Sequence, residues 1–195
     1  MLNYILTTSC DEHNKPLFKS VTIANRDKRR FVRWQRDHQK GREFVNQSFR
    51  DMRFAWGTDG TSNLSIADFP FTSDSGSLFS QKAVFVLRSF LLANGDLHPI
   101  IMPDDYPYYL FDCWPQLQPI TTRLFNDKGL PSQPFLNDIY MSNDSLIVSE
   151  KFKEIACNAN LTGMLFTELS QTNSKPPLKT IPCSLPTSTS LSPHF

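Results

Sequence analysis

The sequence lacks the features that mark several large classes of protein. Only seven of its 195 residues are glycine, and they are isolated, so there is no glycine-rich phosphate-binding loop. No apolar stretch approaches the ~20 residues that a membrane-spanning helix requires. The first six residues carry no basic segment and too short an apolar run for a signal peptide. We therefore expect a cytoplasmic protein with no membrane contact.

Signatures of metal sites and of disulfide frameworks are also missing. The four cysteines lie far apart with no C-x-x-C motif, in a chain longer than disulfide scaffolds usually are. The four histidines form no H-x-x-x-H motif and no cluster with cysteine. The sequence thus predicts no metal and no cofactor, and it predicts that the cysteines are reduced thiols.

The side chains that could do catalysis stand alone in the sequence. A thiol nucleophile such as Cys113 needs a base within hydrogen-bond reach, and no motif supplies one. Ser80 and Ser149 lack the flanking glycines of the G-x-S-x-G motif. The neighbouring acids Asp104 and Asp105 could act as an acid–base pair, although adjacent acids in a proline-flanked loop are usually solvated. We predict that the protein is not an enzyme.

The composition favours one folded domain followed by a tail. Hydrophobic residues make up 39% of the chain, and sixteen phenylalanines supply an aromatic-rich core or contact surface. We assign residues 1–170 to a single domain. Residues 171–195 are rich in serine, threonine and proline, and we predict that they form a disordered tail.

A short unit occurs twice in the chain. Each copy reads as an apolar strand, a serine, an amphipathic helix, a glycine and a return strand. The first copy begins at Ser77 and returns over Leu97–Met102; the second begins at Ser145 and returns over Met164–Leu169. The two strand–helix–strand units predict an α+β fold, a single domain in which helices pack on a mixed or mainly antiparallel sheet.

The polar and glycine residues of these units have structural interpretations. Ser80 and Ser149 precede the two helices and are predicted N-caps. Gly95 and Gly163 follow the helices, and we predict that they end them, Gly95 in a left-handed conformation.

Basic residues are concentrated in residues 26–53. This segment holds ten of the twenty lysines and arginines against four acids, so it carries about +6 and the remainder about −5. Its arginines interleave with Phe31, Trp34 and Phe44, a composition that can grip phosphates and stack on bases. Two other interpretations are a solvated helix face with core aromatics and a patch that binds an acidic protein surface.

Several stretches that together span about half of the chain resemble one known family. Leu78–Pro99 reads LFSQKAVFVLRSFLLANGDLHP, it follows Asp68-Phe69-Pro70, and Tyr108–Asp112 comes next. The motifs Ser149-Glu150-Lys151-Phe152 and Leu161-Thr162-Gly163-x-x-Phe166 close the similarity. Together they are similar to a cytoplasmic immunity-protein family of bacterial polymorphic toxin systems. The resemblance covers roughly Phe69 to Leu169, and no zinc site is carried over because this chain lacks the paired cysteines of some relatives.

The resemblance implies a protein that binds a cognate toxin domain and blocks it, without a reaction of its own. We expect the toxin contacts outside the repeated units, in the basic segment and in the proline-rich residues 115–134. The alternative is a nucleic-acid-binding module that uses residues 26–53. The predicted anchor residues are Arg33, Trp34, Arg36 and Trp56, followed by Trp114 and Phe125.

Overall fold

The computed structural model describes residues 3–10, 15–39, 52–57, 64–72, 76–113, 137–142, 145–169 and 180–182. The described residues include three helices, ten strands and a short 3-10 turn at Pro103–Asp105. In chain order the elements are β1 Asn3–Thr8, β2 Val21–Ile23, α1 Lys28–Gln39, β3 Phe54–Trp56, β4 Ser77–Ser80, α2 Gln81–Asn94, β5 Gly95–Ile100, β6 Tyr108–Cys113, β7 Ile139–Ser142, β8 Ser145–Ser149, α3 Glu150–Asn158, β9 Met164–Glu168 and β10 Thr180–Pro182.

The strands form a five-stranded sheet, a three-stranded sheet and a two-stranded ribbon. The orders are β10-β9-β1-β8-β7, β4-β6-β5 and β2-β3, and each neighbouring pair is antiparallel. With helices packed against these sheets, the structure confirms the predicted α+β fold. The turn-forming pair Asn143-Asp144 predicts a hairpin between residues 139–141 and 146–148, and this pairing is confirmed, because Ile139 of β7 pairs with Val148 of β8.

Each repeated unit encloses a strand from elsewhere in the chain. In the first unit, β4 and β5 are both antiparallel to β6, which lies between them. In the second unit, β8 and β9 are both antiparallel to β1, which lies between them. The two units therefore share a topology in which two parallel strands, joined by a helix, are separated by one antiparallel strand.

The three-stranded sheet separates two hydrophobic cores. Successive side chains of a strand point to opposite faces, so Phe79 packs with α2, α3 and the five-stranded sheet, whereas Leu78 packs with Phe31 and the β2-β3 ribbon. Phe111 and Leu110 of β6 divide in the same way between these cores. The two-sided burial explains why Leu78-Phe79 in β4 and Leu110-Phe111 in β6 are adjacent apolar residues rather than alternating with polar ones.

Both predicted serine caps are confirmed. The Ser80 hydroxyl accepts a hydrogen bond from the Ala83 N–H at 3.1 Å, and the Ser149 hydroxyl accepts one from the Phe152 N–H at 3.3 Å. Each bond satisfies one of the N–H groups that the first helical turn leaves without a partner. The helices therefore begin where the sequence predicts.

The prediction that Gly95 takes a left-handed conformation was wrong. Gly95 follows α2 directly, but its φ of 178° is extended backbone that any residue adopts. A Cβ atom there would lie 2.2 Å from the Asp112 carbonyl oxygen and 2.4 Å from the Phe111 ring. Glycine is required at this position because β5 and β6 approach closely, so its role is steric rather than conformational.

The prediction that Gly163 ends α3 was also wrong. The left-handed residue after α3 is Asn160, with φ 50°, and the Leu161 N–H donates to the Ala156 carbonyl at 3.1 Å. These features define a Schellman motif in which asparagine takes the usual place of glycine. Gly163 is left-handed too, with φ 82°, but its function is close approach: a Cβ there would lie 2.4 Å from the Phe69 carbonyl oxygen.

The structure differs from expectation in two further places. The sequence predicts a polar turn region over residues 56–65, but Trp56 is the last residue of β3. Thr180–Pro182 pairs with β9, Thr180 opposite Thr167, so the prediction of a disordered tail was wrong for these residues. The rest of the tail and the proline-rich residues 115–134 lie outside the described residues.

Candidate binding surface

Asp68 joins the two repeated units. The Ser80 hydroxyl donates to one carboxylate oxygen of Asp68 at 2.6 Å, and the Thr162 N–H and hydroxyl donate to the other at 2.9 and 3.0 Å. Asp68 is buried, and the Lys82 ammonium lies 3.6 Å from the same carboxylate. These residues carry much of the family resemblance, and their geometry makes them a buried latch within the scaffold.

The basic segment is anchored through the buried carboxylate of Asp27. That carboxylate accepts hydrogen bonds from the Arg53 N–H at 3.1 Å and from the side chains of Arg26 and Arg30, each at 3.3 Å. The Arg53 bond and the two arginines lower the pKa of Asp27, although burial acts against them. The contacts fix the start of α1 against the segment that leads into β3.

Helix α1 presents a basic outer surface. Its exposed residues include Lys28, Arg29 and Arg33, and Val32 beside them is 63% exposed. Phe31, by contrast, is buried against Phe54. Phe31 is therefore a core residue and does not stack on a ligand, as the solvated-helix interpretation predicts. Trp34 and Arg36 lie in α1, but their side chains are outside the described part of the structure, as are Trp114 and Phe125 entirely.

Trp56 belongs to a three-membered aromatic cluster. Its ring meets Tyr106 edge-on at 6.2 Å and Tyr108 at 6.4 Å between centroids, while the two tyrosines stack at 5.8 Å. The Lys19 ammonium lies 5.4 Å from the Trp56 ring centroid, within the range of a cation–π contact. Lys19 thus supplies the cation at this predicted anchor.

The buried member of the cluster holds it to the protein. Tyr108 is 1% exposed and its hydroxyl donates to the Ala67 carbonyl oxygen. Burial, with a smaller contribution from the nearby carboxylate of Asp68, raises the pKa of Tyr108 far above its usual range, so the hydroxyl keeps its proton. Tyr106, by contrast, is 42% exposed and gives the cluster its solvent-facing ring.

A cleft of about 270 Å³ opens beside this cluster, and we name it the aromatic cleft. Ile101, which lines the cleft, is 42% exposed. In the turn that also lines the cleft, Asp105 has a left-handed φ of 52°. An apolar cleft with exposed tyrosine and nearby tryptophan has the composition of a protein-contact site. The cleft is lined by Pro99, Ile100, Ile101, Met102, Asp105, Tyr106, Pro107, Tyr108 and Tyr109.

A second exposed apolar surface lies on α2, and the sequence reasoning missed it. Phe85 is 82% exposed and Leu92 is 47% exposed, while the predicted stripe residues Leu87 and Leu91 are fully buried. The signal was present in the sequence, since Phe85 and Leu92 are apolar, seven positions apart and outside that stripe. Residues three to four or seven apart share one face of a helix.

Buried thiol and imidazole groups lie near β6. Burial, reinforced by Asp112, raises the pKa of Cys113 to about 12, so this cysteine is a protonated thiol at neutral pH. The His98 Nε2 lies 3.9 Å from an Asp112 carboxylate oxygen, and both side chains are buried. No group of three or more potential metal ligands occurs within the described ranges.

In the part of the chain that the structure describes, no helix has the length and apolar character needed to cross a bilayer. No family model matches the sequence, and no curated protein matches it either. The functional interpretation therefore depends on the residues and surfaces described above.

Proposed function

We propose that this protein is a cytoplasmic immunity protein that binds a cognate toxin domain and neutralises it by protein–protein contact. The observation that carries the proposal is the latch at Asp68. Asp68 and Thr162 are 94 positions apart, yet the motifs that contain them meet in one buried network together with Ser80. The motifs on which the resemblance rests thus lie together in the fold, and this supports the proposal.

The aromatic cleft supports binding rather than chemistry. Tyrosine and tryptophan are enriched at the energetic centres of protein interfaces because they offer large rigid surfaces with a polar edge. Trp56 was a predicted anchor, and its ring lies against the exposed Tyr106. A specific interface buries about 800 Å² on each partner, so the cleft would be one part of a larger contact. In this proposal the protein has no reaction of its own.

The proposal is tested with the product of the neighbouring gene. That polypeptide should arrest growth when it is expressed alone, and co-expression of this chain should restore growth. The two purified proteins should form a stable complex by calorimetry. A neighbouring product that neither binds this chain nor is neutralised by it would refute the proposal.

Within that complex, Tyr106→Ala should weaken binding because it removes the exposed ring of the cleft. We expect a loss of roughly tenfold or more, with Tyr106→Phe as the matched control that keeps the ring. Alanine variants of the predicted anchors Arg33, Trp34, Arg36, Trp56, Trp114 and Phe125 extend the test to the basic segment and to residues 115–134. Anchors whose removal leaves the affinity unchanged drop out of the proposal.

A second candidate function is nucleic-acid binding through α1, and the observation in its favour is the exposed row of Lys28, Arg29 and Arg33. Phosphate contacts release counterions, so this activity should strengthen steeply as salt falls. Titration of mixed-sequence DNA and RNA across a salt series tests it. No binding at low salt would eliminate the candidate, and binding that Arg29→Glu abolishes would favour it.

A further inference from the structure

Helix α2 exposes large apolar side chains on the side that faces away from the core. Its inner side, which includes Leu87, Phe90 and Leu91, packs in the core that also contains Phe79. Its outer side carries Phe85, 82% exposed, and Leu92, 47% exposed. Polar and charged residues are exposed beside them, so this side combines an apolar centre with a polar rim, as protein-contact surfaces do.

Burial of the exposed Phe85 side chain by a partner would contribute substantially to the free energy of binding. Fully burying a phenylalanine side chain contributes roughly 1.5–3 kcal/mol, and Phe85 gains little of this within the chain. Helix α3, which occupies the equivalent place in the second unit, instead exposes Lys151, Glu154 and Asn158. Exposure of large apolar side chains is thus a property of α2 and is not imposed by the shared topology.

The charges beside Phe85 indicate the chemistry of what covers it. Lys82 and Arg88 lie three positions before and after Phe85, so they flank it on the helix surface, and both are exposed. Lys82 also lies 3.6 Å from the Asp68 carboxylate, so Arg88 is the main charge for an external contact. The fourteen residues of α2 include no acid. A second copy of this helix would bring like charges together, whereas an acidic surface would complement them.

The first residue of α2 contacts the loop that lines the aromatic cleft. The Gln81 N–H donates a hydrogen bond to the Pro107 carbonyl oxygen at 3.0 Å, and Pro107 lines the cleft. A specific interface buries about 800 Å² on each partner, so a contact centred on Phe85 has to include surface beyond α2.

We infer that the outer side of α2, with Phe85 as its anchor and Lys82 and Arg88 at its rim, docks an acidic protein surface that offers an apolar pocket. This inference rests on the proposed function, since it takes that surface to belong to the toxin domain. It places part of the contact on the first repeated unit, where the sequence had not suggested it.

The test measures the affinity of the neighbouring gene's product for four forms of the full-length chain. Phe85→Ser should weaken binding by about 30-fold or more, as removal of an interface anchor does. Arg88→Glu should weaken it by about tenfold at low salt, and this loss should shrink in 0.5 M salt. Lys151→Glu on α3 makes the same change in net charge and should leave the affinity within about twofold of the unchanged chain.

The outcomes separate the inference from the proposed function. If the unchanged chain does not bind the neighbouring product, the proposed function fails and the inference fails with it. If binding occurs but Phe85→Ser and Arg88→Glu leave it unchanged, the inference is overturned while the proposed function stands. Sedimentation of the chain alone provides a further check, since a dimer that Phe85→Ser dissociates would identify a second copy as the occupant and overturn the inference.

Discussion

The two repeated units share a topology but differ in the surface that they present. Each consists of parallel strands joined by a serine-capped helix and separated by one antiparallel strand. Helix α3 packs in the core that contains Phe79 and exposes charged and polar side chains, as a solvent-facing helix does. Helix α2 covers the same core from the first unit and exposes Phe85 and Leu92.

This difference separates the scaffold from the surface for binding. The shared topology requires a helix N-cap, a glycine where two backbones approach closely, and a helix with one buried apolar side. Both units have all three. An exposed phenylalanine contributes to none of them. The contrast separates the scaffold from the proposed binding surface on the outer side of α2, so the second unit can serve as the internal reference for the first.

Among the polar contacts, the largest effect is expected from removing the link between the units. Asp68→Ala deprives the Ser80 hydroxyl and two Thr162 donors of their acceptor, and buried donors without a partner are costly. We expect a loss of about 3 kcal/mol in the free energy of unfolding, measured by urea denaturation. Asp68→Asn, which keeps one acceptor oxygen, should recover part of that loss. A cost under about 1 kcal/mol would show that the units do not depend on this latch.

The two serine caps should then differ in their contribution. Ser149→Ala removes a cap and should cost about 1 kcal/mol. Ser80→Ala removes a cap and also the hydrogen bond to Asp68, so it should cost about 2 kcal/mol. Urea unfolding of both variants measures the difference. Equal costs would mean that Ser80 acts only as a cap.

The end of α3 provides a smaller and more specific test. Asn160→Ala forces a residue with a Cβ and no local hydrogen-bonding group into the left-handed region, which should cost about 1 kcal/mol. Asn160→Gly should be neutral or slightly stabilising, since glycine adopts this conformation freely. Thermal unfolding distinguishes the two variants. A loss with glycine as large as that with alanine would show that the asparagine side chain, rather than the backbone conformation, matters.

The predicted features near the units came largely from local rules. Serine caps, the helical stripes and the β7-β8 hairpin depend on residues close in sequence, and the structure confirms them. The strands inserted into each unit could not be predicted this way. Strand β1 lies between β8 and β9 although about 140 positions separate it from β8, and no short-range pattern specifies such a pairing.

The wrong predictions came from short-range rules applied at positions where distant contacts decide the structure. Gly95 and Gly163 follow helices, which is where left-handed glycines are common, but contacts from distant strands and loops explain why glycine is needed at both. The exposed side of α2 was missed because an apolar residue on a helix is usually assigned to the core. Trp56 was predicted as an anchor, yet its neighbours Tyr106 and Lys19 became apparent only from the fold.

The pH dependence of stability tests the anchoring of the basic helix, which neither unit contains. Since the folded-state pKa of Asp27 is lowered, its charge stabilises the fold above the usual value of 3.8, and this contribution is lost as the pH falls through the folded-state pKa. Asp27→Asn should therefore be less stable than the unchanged chain at pH 7, with the difference disappearing in acid. Urea unfolding across pH, with Glu154→Gln as an exposed control, measures it. A difference that is the same in acid and at neutral pH would contradict this explanation.

The smallest effect on stability is expected at the most exposed apolar residue. Phe85→Ser should change the free energy of unfolding by no more than about 0.5 kcal/mol, because the side chain contributes little to the core. Phe90→Ala, in the same helix but buried, should cost about 3–4 kcal/mol. Chemical denaturation of the pair is the check, and a large loss at Phe85 would mean that it supports the fold.

The most direct test of the difference between the units is hydrogen exchange of this chain alone and in complex with the neighbouring gene's product. The proposed contact predicts new protection in residues 81–94 and 101–109, which form α2 and the cleft, with residues 150–158 of α3 unchanged. Protection confined to α3, or spread equally over both helices, would contradict the claim that the outer side of α2 and the aromatic cleft bind the partner.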